Sequence, residues 1–153
     1  MQGPAHANEE WWVYEKGLPH SSRGSLFAQL GNRLMVATDL TEVSRSAEER
    51  AMQVAARTGA RLAIVAVVAA GSAEADAARR LAARIRLARR HGVHATGRIV
   101  SGDPGECVCD AARAINADAI IAPDEWRSAP GGGCGCGHII RHAPCPVLIV
   151  KAV

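Results

Sequence analysis

Aromatic residues are scarce in this 153-residue chain, with three Trp, one Tyr and one Phe. Its core must therefore be built from Ala, Val, Ile and Leu, which suits helices packed closely on a parallel sheet. Long apolar runs are missing too. The longest, residues 62–70, is far too short to cross a hydrocarbon layer of about 30 Å. The N-terminal segment MQGPAHANEEWW lacks a basic patch followed by an apolar stretch, so it does not read as a secretory signal. Neither sign of charge dominates. The net charge of +3 is too small to argue for nucleic acid or an anionic membrane surface as partner. Together these absences predict a cytoplasmic protein with no nucleic-acid and no membrane partner, whose five cysteines stay reduced.

What is present is ordinary for one globular domain, with 48% hydrophobic and 22% charged residues. The aromatics are unevenly placed. Trp11, Trp12, Tyr14 and Phe27 precede residue 31, and Trp126 follows alone. Residues 1–30 also hold Pro4, Gly17, Pro19, Ser21, Ser22 and Gly24 without a sustained period, which predicts an extension outside the compact fold. Trp pairs are costly to leave in water and are favoured interface anchors. Trp11, Trp12, Tyr14 and Phe27 are therefore candidate contacts to a partner, to a second subunit or to the domain's own surface.

From residue 31 to 153 the pattern is regular and reads as one domain. Strands are predicted over 33–38, 61–69, 93–101, 117–122 and 146–150. Helices are predicted over 41–58, stopped by Gly59, over 73–91, stopped by Gly92, over 107–115 and briefly over 138–141. Gly102-Asp103-Pro104 carries an N-cap signal, with Asp as cap and Pro in the first turn. Alternation of strand and helix implies right-handed crossovers and an α/β sandwich with a parallel sheet. Ligands then bind beyond the carboxyl ends of the strands, which points to Thr38-Asp39 and to the loop 123–134.

The cysteines form two C-x-C pairs. Cys107 and Cys109 lie on a helix, where residues two apart face differently, so they read as small core residues. A helix N-terminus would lower the pKa of an exposed Cys107 and make it reactive. Cys134, His138 and His142 are spaced four apart, and with Cys136 they form a candidate Cys/His metal site. Gly133, Gly135 and Gly137 oppose the helix that this stripe needs, at about 1 kcal/mol each. Six arginines, Arg79, Arg80, Arg84, Arg86, Arg89 and Arg90, read as the solvated face of one helix. No Ser or Cys sits at a strand–helix elbow with a His and a carboxylate to serve it, so no enzyme is expected.

The segments MVATDLTEVSRSAEERAMQVAARTGARLAIVAVV, VSGDPGECVCDAARAINADAIIAP and RHAPCPVLIV, in this order and spacing, resemble the universal stress protein family over residues 33–152. The resemblance implies a five-stranded parallel sheet between helices, a homodimer paired through the last strand and, in many members, bound ATP. It implies that Asp39 contacts the nucleoside, with Ala37 and Thr38 before it, and that Val67 lines the adenine. The family's phosphate loop has the pattern G-x2-G-x9-G-[ST]. Here Gly133, beside Gly132, falls at its last glycine and Cys134 at its hydroxyl residue. Pro123 and Trp126 fall where the first two glycines belong, and six residues rather than nine separate Trp126 from Gly133. Pro123 lacks a donor, Trp126 is bulky, and Asp124 and Glu125 repel phosphate.

The expectation is therefore a non-catalytic, dimeric binding or adaptor protein of stress-protein type, with an altered nucleotide loop and an N-terminal interaction segment. The alternatives are an ATP/ADP-binding stress regulator, and a metal- or redox-responsive protein using Cys134 and Cys136.

Overall fold

A computed structural model describes residues 11–15, 18–19, 32–69, 71, 73–124, 126 and 135–151. Two strands come first, β1 (Trp11–Glu15) and β2 (Leu18–Pro19). Then follow β3 (Arg33–Thr38), a 3₁₀ turn (Glu42–Ser44), α1 (Arg45–Thr58), β4 (Arg61–Val68), α2 (Glu74–Arg90) and β5 (Ala95–Ser101). The chain continues through α3 (Pro104–Ile115), β6 (Ala119–Pro123), α4 (Gly135–His142) and β7 (Val147–Val150).

Local signals in the sequence set most boundaries. Gly59 ends α1 at φ 75°, a conformation that glycine adopts without a Cβ penalty. The Asp103 side chain accepts from the Glu106 N–H at 3.0 Å, and Pro104 opens α3. That cap starts the helix three residues earlier than the predicted residue 107. The last helix is also longer than predicted. It begins at Gly135 despite its glycines, because Ile139 on it is fully buried against the sheet. Burial of one such side chain is worth about 1.5–3 kcal/mol, comparable to the deficit of about 1 kcal/mol for each of Gly135 and Gly137.

The sheet has the order β2-β1-β7-β6-β3-β4-β5. Its five strands from β7 to β5 are parallel, with Val36 beside Ile64 on one side and Ile121 on the other. Successive strand residues serve opposite faces. Leu34, Val36, Ile64, Ile121 and Leu148 join one core with α1 and α2 residues. Met35, Val65, Ile120 and Ile149 join the other with residues of α3 and α4. This is the predicted five-stranded sandwich.

One expectation is corrected. The N-terminal segment is not wholly outside the fold. Trp11–Tyr14 pairs antiparallel with β7, in the register Trp11↔Val150 to Tyr14↔Val147. β2 turns back on β1, with Tyr14 opposite Pro19 and Glu15 opposite Leu18. The edge of the last strand, through which a homodimer was expected, is thus occupied by the same chain. Phe27 lies outside the described residues.

Candidate functional site

The carboxyl ends of β3 and β4 open into a cleft of ≈ 380 Å³. It is lined by Asp39, Leu40, Val67, Val68, Ala69, Ala73, Asp76, Ala77 and Arg80, so the fold brings Asp39 and Val67 together. Val67, 7% exposed, gives an apolar wall. Arg80 Nε lies 3.1 Å from Asp76 Oδ2, which leaves Asp39 as a carboxylate with no ion-pair partner among the described residues.

Asp39 is rigidly held. Its Oδ1 accepts from the Thr41 N–H at 2.9 Å, the Thr41 hydroxyl at 2.6 Å and the Ser44 hydroxyl at 2.8 Å. Its own N–H donates to Ser44 Oγ. Oδ2 takes no hydrogen bond among the described residues and remains an acceptor for a ligand. The carboxylate therefore both caps the turn and lines the cleft.

The remaining predicted nucleotide residues divide. Ala37 is fully buried in the core and does not line this cleft. Thr38 is also fully buried and acts structurally. Its Oγ1 donates to Glu48 Oε2 at 2.5 Å and accepts from the Leu40 N–H at 2.8 Å. Gly132, Gly133 and Cys134 lie outside the described residues. Trp126 is buried, at 8% exposure, among Ala122, Ile139 and Ile149, so its bulk is absorbed by the core. Pro123 closes β6 opposite Val150.

Glu48 and Arg84 were missed as functional candidates. Glu48 is 2% exposed, and its Oε1 accepts from Arg84 Nε at 3.0 Å. Arg84 Nη2 donates to the carbonyl of Leu40 at 3.3 Å. Leu40 carries φ 66°, in the left-handed region, and both its backbone polar groups are held by this network. The arginine face of α2 is therefore not uniformly solvated. The signal was present in the sequence: Glu48 lies on the apolar stripe Ala51-Met52-Ala55, and Arg84 on the stripe Ala77-Leu81-Ala88.

Cys107 corrects a second expectation. Its thiol is shifted up rather than down, first by burial and then by the carboxylates of Asp103, Asp110 and Glu106. Its Sγ donates to the Ser101 carbonyl at 3.5 Å. Cys109 is buried as expected, at 1% exposure. Of the candidate metal set, His138 and His142 do share a face of α4, with ring centroids 4.5 Å apart. Cys134 and the side chain of Cys136 lie outside the described residues. Among the described residues no group of three or more His, Cys, Asp or Glu converges. No helix among them is long and apolar enough to cross a membrane.

Comparisons agree with this architecture. Residues 31–151 match the family model described as the universal stress protein family. Among solved structures, a universal stress protein from Archaeoglobus fulgidus DSM 4304 is 28% identical with TM-score 0.67, over 84% of this chain and 45% of that one. This chain thus spans less than half of that relative. A universal stress protein solved in complex with cAMP is 26% identical with TM-score 0.67, over 80% of this chain and 98% of that one. A family protein from Burkholderia pseudomallei is 29% identical with TM-score 0.62, over 78% and 95%. A search of curated proteins found no match. With its parallel sheet, the cleft at Asp39 and a family match over residues 31–151, the chain belongs to the universal stress protein family.

Proposed function

We propose that this protein is a non-catalytic binding protein whose cleft takes the nucleoside end of a small adenine nucleotide, and that it acts on a protein partner rather than on a substrate. The observation that carries this reading is the convergence of Asp39 and Val67 at the cleft. An apolar wall suits a flat base, and the open Oδ2 of Asp39 suits a ribose hydroxyl. The 26% identical relative bound to cAMP supports a ligand of this class. One phosphate fits better than three, since Asp39, with no ion-pair partner among the described residues, lines the cleft and Pro123 supplies no backbone donor where the phosphate loop begins.

Titration with AMP, cAMP and ATP, followed by calorimetry and by the amide signals of Asp39 and Val67, tests this. Saturable AMP or cAMP binding is expected, with ATP no tighter than AMP. Asp39→Asn keeps an acceptor at Oδ1 for the turn but removes the charge, and should weaken binding about tenfold or more, roughly 1.4 kcal/mol. No response from either amide to any nucleotide would leave the second reading, an adaptor that binds no nucleotide. That reading is favoured by the three donors already engaged on Asp39 Oδ1.

A further inference from the structure

The two edges of the parallel sheet are protected differently. β5 carries exposed Thr96, Gly97 and Arg98, and exposed charge on an edge strand discourages a second chain from pairing there. β7 has no such device. Its four residues, Val147, Leu148, Ile149 and Val150, are all apolar and all buried, and they contribute alternately to the two cores. Without a neighbour, such a strand presents unpaired N–H and C=O groups flanked by apolar side chains. An identical strand from a second copy, related by a twofold axis, would meet it antiparallel and satisfy the same groups.

β1 fills that position from within the chain. Its pairing runs from Trp11↔Val150 to Tyr14↔Val147 and so covers β7 from end to end. The connection is long enough for this. Pro19 is opposite Tyr14, which is opposite Val147, which is level with Ile120 and hence with Met35. Four strand spacings separate β2 from β3, about 19 Å, while the residues from Pro19 to Arg33 can reach about 46 Å when extended. Belonging to the same chain raises the effective concentration of β1 at β7 above that of a free second copy at about micromolar concentration.

We infer that the Trp11–Glu15 strand is an intramolecular plug that holds β7 against a second copy of this chain, so that assembly through the last strand requires release of β1. The occupant displaced by the plug is a second copy, not an unrelated protein. This inference does not depend on nucleotide binding.

In an antiparallel ladder alternate residues direct both backbone groups at one neighbour. One of Trp12 and Val13 therefore points its N–H at β7, and the double substitution Trp12→Pro/Val13→Pro removes that donor whichever it is. Light scattering should give the monomer mass for the full chain at micromolar concentration and twice that mass for the double variant. A full-length chain that is already a dimer, or a folded double variant that stays monomeric, overturns the inference.

Should the variant not fold, cysteine pairs decide. Val13→Cys/Leu148→Cys and Tyr14→Cys/Val147→Cys occupy adjacent registers, so one pair has the closer spacing that a disulfide needs. An intrachain crosslink, identified by peptide mass, is expected. An interchain crosslink, or none in either variant, refutes the plug.

Discussion

Asp39 has its geometry because two residues far from it in sequence hold the backbone behind it. Leu40 adopts a left-handed conformation that costs a branched residue about 1 kcal/mol or more, and Thr38, Glu48 and Arg84 hold it there. Truncating Arg84 to Ala would leave Glu48, at 2% exposure, as a buried carboxylate without its cation. A broken buried pair costs about 3–5 kcal/mol, and the partial exposure of Arg84 places this one near about 3 kcal/mol. Urea denaturation should show that loss for Arg84→Ala. It should be clearly smaller for Glu48→Gln/Arg84→Met, which removes both charges. Such a pair is hard to see in a sequence, because a carboxylate or a guanidinium on an apolar stripe announces burial but not its partner. Glu48 and Arg84 are 36 positions apart, and only the packing of α2 on α1 makes them neighbours.

At the scale of elements, glycine decides how closely helices approach the sheet and each other. A Cβ on Gly97 would lie 2.7 Å from Ile85 Cδ1 and 2.9 Å from Leu81 Cδ2. Gly97→Ala therefore overpacks the contact between β5 and α2 and should cost about 1–3 kcal/mol, read as a fall in thermal midpoint. Gly105 plays the same part between α3 and α4, where a Cβ would meet His138 Cβ at 2.6 Å. The strands and first two helices were legible because their periods and stops are local: Gly59 and Gly92 each act within a few residues of themselves. The start of α4 was not, since its own glycines argue against a helix and the compensation comes from Ile139 buried on a sheet built by other segments. β1 was missed for a related reason. Five residues between turn-formers carry no period strong enough to stand alone, and their pairing is with β7, at the opposite end of the chain.

For the whole molecule, stability should depend on alkaline pH through Cys145, which lies between Pro144 and Pro146 at the entry to β7. Its thiol is pushed from 9.0 up to about 12, by burial first and then by Asp118 and Cys109. A raised acid favours the protonated form in the folded state, so the unfolded chain ionises first as pH rises. Stability is therefore fully present below pH 9.0 and lost progressively as pH climbs toward about 12. Urea midpoints across that window should fall more steeply for the native chain than for Cys145→Ala.

The sequence by itself determined the alternation of strand and helix, the caps, the two-sided burial of the strands and hence the five-stranded sandwich. These follow from apolar periods and turn chemistry, which act over a few residues. Only the tertiary structure decided which charges are buried, how the Asp39 carboxylate divides its two oxygens, and what lies along β7. Each of those depends on groups from distant segments meeting across a packed interface, and the free energy of such a meeting is a property of the pair rather than of either residue.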